Sequence, residues 1–131
     1  YALYNHRTRT LQYARGGHPF PILLTADGLV TELKSSGGLL GLFKGEEFPI
    51  FETRLQPGDK LLFYTDGVEL AFQREPHAAL DIRAYQRLFE SLAGRPIADM
   101  MSQIESHIEE LTATSTARDD VTIVGLEILR E

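Results

Sequence analysis

Two acidic motifs that flank strand-like runs are the positions in this chain best suited to chemistry. Residues 64–68 (Tyr-Thr-Asp-Gly-Val) close the apolar run at 60–63, and residues 119–122 (Asp-Asp-Val-Thr) open the run at 121–126. Carboxylates at strand ends are held by a rigid scaffold and still reach solvent, and hard divalent cations such as Mg²⁺ take oxygen ligands of this kind. The pattern therefore predicts that Asp66 and Asp119 lie close together at one rim of a sheet and share a metal site.

Each motif also has a simpler interpretation. An Asp-Gly pair between apolar runs is a common turn, because Gly takes positive φ freely. An Asp-Asp pair before a strand is often only a solvated loop. A short motif taken singly matches many unrelated sequences, so the metal-site hypothesis depends on the two motifs occurring together and in order with others.

Composition excludes several function classes. The chain has 131 residues, of which 43% are hydrophobic and 24% charged, which is typical of one ordinary globular domain. Its net charge of −6 disfavours nonspecific nucleic-acid binding, and the absence of Cys excludes disulfides, zinc-thiolate sites and cysteine nucleophiles. No apolar run approaches the ~20 residues of a membrane helix, and no signal peptide is visible. We expect a cytoplasmic domain with no membrane or nucleic-acid partner in this segment.

The first half of the chain is predicted to form strands. Two hairpins, a loop and two further strands follow from alternating apolar residues and turn signals. Pro49 favours the start or the edge of the strand that contains it. The predicted ranges are hairpins at 1–5 with 10–14 and at 21–25 with 29–33, a loop at 35–43, and strands at 48–55 and 60–65.

The second half changes to helical periodicity. One apolar stripe begins at Ile82 and its helix ends at Gly94, and a second helix begins at Pro96. A loop at 113–117 then precedes the last strand. Strands followed by helices indicate an α+β layered domain. Two helices cover only one face of a sheet, so a further layer is expected from outside this segment.

Three more motifs complete an ordered series with the acidic pair. They are residues 13–19 (Tyr-Ala-Arg-Gly-Gly-His-Pro), 38–42 (Gly-Leu-Leu-Gly-Leu) and 57–59 (Pro-Gly-Asp). The series resembles the carboxyl-terminal part of the PPM (PP2C-like) metal-dependent serine/threonine phosphatases, in particular the SpoIIE/RsbU-type bacterial branch. The resemblance covers nearly the whole chain. It implies an antiparallel β-sandwich flanked by helices, of which residues 1–131 form an amino-terminally truncated portion of a single domain.

The same resemblance implies the chemistry. In this family acidic residues at one edge bind two Mn²⁺ or Mg²⁺ ions, and a bridging water attacks phosphoserine or phosphothreonine. Asp66 and Asp119 match metal ligands. Asp120 falls where many relatives have Asn, and it is assigned to the same metal site as a support. His18 is interpreted as a structural histidine of its turn rather than as a general acid.

Two features depart from the family pattern. An earlier block, Asp-Val followed shortly by Gly-His-Gly, is absent, and it carries an Asp ligand central to the metal pair. In addition, Glu69 stands one place earlier than the Glu of most relatives. We therefore expect the parent protein to be a phosphatase and this fragment alone to be incomplete and inactive.

Partners follow from the resemblance, and so does the main alternative. Substrates in the resembling branch are often small phosphorylated regulators such as anti-anti-sigma factors, and a receiver or sensor domain commonly precedes the phosphatase. The alternative is a catalytically inactive, phosphatase-like module that binds a partner. An Asp-Val…Gly-His-Gly block upstream of Tyr1 would favour the enzyme. A generic β-rich structural domain leaves the motif order unexplained.

Overall fold

The strands form two antiparallel sheets. The computed structural model describes residues 1–72, 82–113 and 120–130. Its sheets have the strand orders β1-β2-β5 and β4-β3-β6-β7. The elements are β1 Ala2–Asn5, β2 Thr10–Tyr13, β3 Ile22–Leu24, β4 Val30–Glu32, β5 Phe51–Arg54, β6 Lys60–Tyr64, α1 Asp66–Ala71, α2 Ile82–Leu92, α3 Ile97–Thr112 and β7 Ile123–Glu127.

Alternation along β6 divides its side chains between two cores. Leu61 and Phe63 face the three-stranded sheet, whereas Leu62 and Tyr64 face the helices. The core between the sheets is small, and the core beneath the helices is larger. The inter-sheet core consists of Leu11, Tyr13, Leu33, Leu55, Leu61 and Ile128. The largest fully buried side chains of the helix-side core are Tyr64, Tyr85, Phe89, Leu62, Met100 and Ile104.

The helices that the structure describes lie on one side of this sandwich, as the sequence predicts. They pack on the four-stranded sheet. On the three-stranded sheet Gln12 and Glu52 are exposed, and the Gln12 side chain donates a hydrogen bond to the Glu52 carboxylate over 3.0 Å. Of the helices that the structure describes, none has the length and apolar character needed to cross a membrane.

The predicted α+β sandwich with flanking helices is confirmed, as are both hairpins and both long helices. The strand predicted at 48–55 is shorter, Phe51–Arg54, and lies at a sheet edge, where Pro49 costs no ladder hydrogen bond. The last strand starts at Ile123, two residues later than the apolar run. Of the loop predicted at 113–117, residues 114–117 lie outside the described residues.

One helix is missing from the sequence-based prediction. Residues 66–71 form α1, which starts directly after Thr65, whereas the sequence patterns predict no helix there. A helix of six residues is too short to show a repeat at helical spacing. Val68 is fully buried against the helix-side core, and this tertiary contact holds α1 in place.

Candidate metal centre

The two acidic motifs lie at the same end of one strand pair. Strands β6 and β7 pair antiparallel from Lys60 opposite Glu127 to Tyr64 opposite Ile123. The residues that follow β6 therefore meet the residues that precede β7. This places Asp66 and the segment beginning at Asp120 at one rim. Asp119 lies outside the described residues, so its place at this rim stays a prediction.

Thr65 joins the two segments beyond the end of the strands. Its backbone N–H donates to the carbonyl oxygen of Thr122 over 3.0 Å. Its hydroxyl donates to the carbonyl oxygen of Asp120 over 3.0 Å and accepts the backbone N–H of Thr122, also over 3.0 Å. Thr65 is thus fixed to the main chain at residues 120–122 by three hydrogen bonds, one with Asp120 and two with Thr122.

Gly67 allows the same segments to approach closely. A Cβ atom built at Gly67 would lie 2.5 Å from the carbonyl oxygen of Asp120 and 3.0 Å from its carbonyl carbon. Gly67 does not have positive φ, so a turn conformation is not the reason for glycine here. The interpretation of Asp66-Gly67 as a simple turn is therefore wrong, because Gly67 opens a helix and makes room for the backbone at Asp120.

The donor chemistry at this rim fits a hard divalent cation. Asp66 and Asp120 are both exposed and offer carboxylate oxygens, which Mg²⁺ and Mn²⁺ prefer over nitrogen and sulfur. Within the ranges 1–72, 82–113 and 120–130, however, no three His, Asp or Glu residues gather into a group that could hold an ion. The described residues therefore offer carboxylate oxygens at this rim but no assembled ion site.

Glu69 lies one turn after Asp66 and is half-buried beside two tyrosines. Burial raises the pKa of the Glu69 carboxyl, a hydrogen bond with Tyr64 lowers it, and the negative charges of Asp66 and Glu32 raise it further. The Tyr64 hydroxyl lies 3.4 Å from that of Tyr85, and burial raises the pKa of both phenols, which stay neutral. Hydrogen bonds of Tyr64 with Tyr85 and with Glu69 therefore link α1 to the strand β6 and the helix α2.

The Gly-Gly-His-Pro turn is held by Arg15. The guanidinium donates to the carbonyl oxygens of His18, Ser35 and Gly37 over 3.3–3.4 Å, and it lies over the Phe20 ring. His18 is exposed, and its Nδ1 lies 3.1 Å from the carbonyl oxygen of the next residue. These contacts give His18 a local place in the turn, in keeping with a structural histidine.

An open apolar cavity lies between the sheets beside the rim. Its volume is about 350 Å³, and its lining includes Tyr13, Phe63 and Val124. Val124 and Leu126 alternate with residues that face the helices, so they point toward this side, yet they are 59% and 38% exposed. The inner face of β7 is thus apolar and only partly covered by the described residues.

Sequence reasoning missed Thr65 and Gly67 as parts of the site. Both stand inside the motif at 64–68, but of that motif only the Asp66 carboxylate is assigned to the metal site from the sequence. The sequence contains a signal for Thr65, because the hydroxyl of a Thr just before an Asp at a strand end can hydrogen-bond a neighbouring backbone group. Its actual partners, Asp120 and Thr122, follow only from the pairing of β6 with β7.

This arrangement, two antiparallel sheets with helices packed on one of them, corresponds to part of the fold of PP2C-type phosphatase domains. The phosphatase domain of SpoIIE from Bacillus subtilis, from crystals presoaked with Mn, matches all of this chain with a TM-score of 0.77 at 13% identity. The RsbU and RsbW domains of Rv1364c from Mycobacterium tuberculosis match 98% of it with a TM-score of 0.77 at 31% identity.

The sequence profile of the family described as Stage II sporulation protein E (SpoIIE) matches residues 1–129, and the chain belongs to this family. Protein IcfG of Synechocystis sp. is 32% identical over 122 residues, which are 88% of this chain. The family resemblance drawn from the motif series is therefore confirmed. The chain spans 18% of IcfG, 35% of the Rv1364c chain and 56% of the SpoIIE phosphatase domain, so it corresponds to part of a longer unit in each.

Proposed function

We propose that this chain is the carboxyl-terminal portion of a metal-dependent protein serine/threonine phosphatase domain, in which Asp66, Asp119 and Asp120 serve the metal centre. The observation that carries the proposal is the meeting of the two acidic motifs at one rim, through the hydrogen bonds of Thr65 with Asp120 and Thr122. Family membership defines the class of protein, and this geometry supports the choice of Asp66 and Asp120 as residues of the centre.

The carboxylates of Asp66 and Asp120 would hold the cations that act on a phosphorylated substrate. Bound Mn²⁺ or Mg²⁺, two ions in the complete domain, would supply an activated water and neutralise charge on the phosphoryl group. Asp66 and Asp120 are exposed, so a hydrated cation reaches them without rearrangement of the core. Their backbones are tied to the buried strand β6, which restricts how far the two carboxylates separate. The chain has no Cys, and the proposed reaction needs none.

The described residues support the expectation that this portion is incomplete by itself. They contain no group of three metal ligands, and Val124 and Leu126 leave apolar surface on the inner face of β7. Further segments of a phosphatase domain would cover this face and add ligands. We expect the isolated chain to bind Mn²⁺ weakly, because cation affinity follows the number and charge of the ligands.

The proposed substrate is a phosphorylated bacterial regulatory protein of the anti-anti-sigma type, acted on in the cytoplasm. A receiver or sensor domain upstream in the parent protein would control the activity. The support is the family resemblance, together with the match to a protein that carries RsbU and RsbW domains.

A catalytically inactive, partner-binding module is the second candidate. The finding that favours it is the lack of a three-ligand group among the described residues. The two candidates differ in what the rim carboxylates do, since a binding module would tolerate their neutralisation.

Hydrolysis of a phosphoserine peptide by the parent protein in the presence of Mn²⁺ tests the proposal. Asp66→Ala and Asp119→Ala should each remove most of the turnover and leave the fold intact, whereas the matched control Glu105→Ala, an exposed carboxylate on α3, should leave turnover unchanged. Wild-type turnover in the Asp66→Ala parent would contradict the mechanism. Turnover by the bare 131-residue chain equal to that of the parent would contradict its incompleteness.

A further inference from the structure

We infer that Thr65 is a positioning residue, whose hydroxyl sets the spacing between the segment that carries Asp66 and the segment that begins at Asp120. This inference rests on the proposed metal centre and assigns a role to a residue that does not itself bind the cation. It follows from the hydrogen bonds that join two segments far apart in the chain.

The Thr65 hydroxyl uses both of its hydrogen-bonding capacities. It donates to the Asp120 carbonyl oxygen and accepts the Thr122 N–H, each over 3.0 Å. A hydroxyl has one proton to donate and lone pairs to accept, so Ser preserves both bonds and the isosteric Val preserves neither. The side chain therefore acts as a bridge across the first position beyond the β6–β7 ladder.

The bridge joins the two segments that carry the carboxylates. Thr65 directly precedes Asp66, and its bonding partners are Asp120 and, two residues later, Thr122. The regular ladder ends at Tyr64 opposite Ile123, so the strand pairing itself does not extend to these residues. The backbone bond from Thr65 N–H to Thr122 O does not depend on the hydroxyl, whereas both side-chain bonds do.

Loss of the bridge should therefore disturb metal binding more than folding. The hydroxyl is partly exposed, so water replaces its bonds at a small cost to the fold. Metal affinity is more sensitive, because residues that orient the ligands typically contribute about 10–100-fold. We expect about a tenfold loss of Mn²⁺ affinity in Thr65→Val and recovery to near the wild-type value in Thr65→Ser.

The chain contains a matched control in the β3–β4 hairpin. The Thr25 hydroxyl also bridges two groups of its hairpin, since it accepts the Leu29 N–H over 3.1 Å and donates to the carboxylate of Asp27. Thr25→Val thus removes a similar hydroxyl bridge away from the acidic motifs. It should leave Mn²⁺ affinity at the wild-type value.

The experiment uses the parent protein and two nuclear magnetic resonance readouts. Hydrogen exchange of the Thr122 amide in metal-free buffer reports the bridge itself, and paramagnetic broadening during a Mn²⁺ titration reports affinity even when binding is weak. In Thr65→Val the Thr122 amide should exchange faster and the affinity should fall, whereas Thr65→Ser and Thr25→Val should behave like the wild type in both measurements.

Different results would contradict the positioning role and the metal centre. If Thr65→Val binds Mn²⁺ like the wild type while Asp66→Asn loses binding, the metal centre stands and the role of Thr65 is refuted. If Asp66→Asn binds like the wild type, or the wild type shows no specific broadening near residues 66 and 120, the metal centre is refuted and the inference falls with it.

Discussion

The two ends of the β6–β7 pair use charge in opposite ways. At one end Lys60 is 5% exposed, its Nζ lies 3.6 Å from Glu127 Oε1, and it donates to the carbonyl oxygen of Ala93 over 2.8 Å. At the other end Asp66 and Asp120 are exposed, and the bridge between the strand ends is a neutral hydroxyl. One ladder thus has a closed end that holds charge inside the fold and an open end that presents charge to solvent.

The closed end organises the helices. Glu127 Oε2 accepts the backbone N–H of Ile97 over 3.0 Å at the start of α3, where Pro96 offers no side-chain cap. Ala93, which Lys60 contacts, directly follows α2. The ion pair therefore fixes the turn between α2 and α3 against the sheet. The buried interactions that stabilise the fold therefore lie at one end of the ladder, and the exposed carboxylates available for chemistry lie at the other.

The largest effect should come from breaking the ion pair at the closed end. Lys60→Ala leaves the Glu127 carboxylate beside the core without its partner, and removal of one member of a buried pair costs about 3 kcal/mol of the free energy of unfolding. Lys34→Ala is the matched control, since Lys34 pairs with Glu32 at 3.9 Å but is 75% exposed, and it should cost less than about 0.5 kcal/mol. Urea denaturation measures both. Equal losses in the two variants would contradict the distinction between buried and exposed pairs.

A smaller loss of stability is expected at the open end from Gly67→Ala. The new methyl group would lie 2.5 Å from the Asp120 carbonyl oxygen, and the forced shift should cost about 2 kcal/mol. Gly94→Ala is its control, because a Cβ there meets nothing within 4 Å. Thermal unfolding followed by circular dichroism would report the difference. A Gly67→Ala chain as stable as Gly94→Ala would show that the backbone at Asp120 moves away freely.

Neutralising the rim carboxylates should change stability little. Asp66→Asn and Asp120→Asn alter exposed groups, so the metal-free free energy of unfolding should shift by no more than about 0.5 kcal/mol. Saturating Mn²⁺ should raise the unfolding temperature of the wild type and raise that of either variant less, because a ligand stabilises only the state that binds it. Equal stabilisation by Mn²⁺ in all three chains would place the cation elsewhere.

The smallest effect concerns the pH dependence contributed by Glu69. Its pKa is raised in the folded chain, chiefly by burial, so the folded state favours the protonated carboxyl. This contribution to stability is present below the ordinary glutamate pKa of about 4.3 and is lost as pH rises through the folded value. Glu69→Gln should therefore gain stability relative to the wild type between pH 4 and pH 7 in metal-free buffer. A constant difference across that range would contradict the raised pKa.

Local patterns were enough to predict most of the elements. The hairpin at residues 21–33 follows from its Asp-Gly turn, and Gly28 does take positive φ there. The helix that ends near Gly94 and the helix that begins after Pro96 follow from apolar spacing and end signals. The ordered motif series also identified the family, because the types and order of the motif residues can be recognised without knowing which residues they contact.

The partners themselves were decided by tertiary structure. Pairing of β6 with β7, across the three helices α1, α2 and α3, brings Asp120 to Thr65 and Lys60 to Glu127. Before that pairing is known, Lys60 is only the first residue of a predicted strand, and Gly67 has the simpler interpretation of a turn residue. Periodicity reports only how a segment presents its own faces, and it carries no information on which distant segment will cover them. Most of the elements, the family and the candidate carboxylates therefore follow from the sequence alone. Which distant residues contact the segments that carry these carboxylates follows only from the strand order.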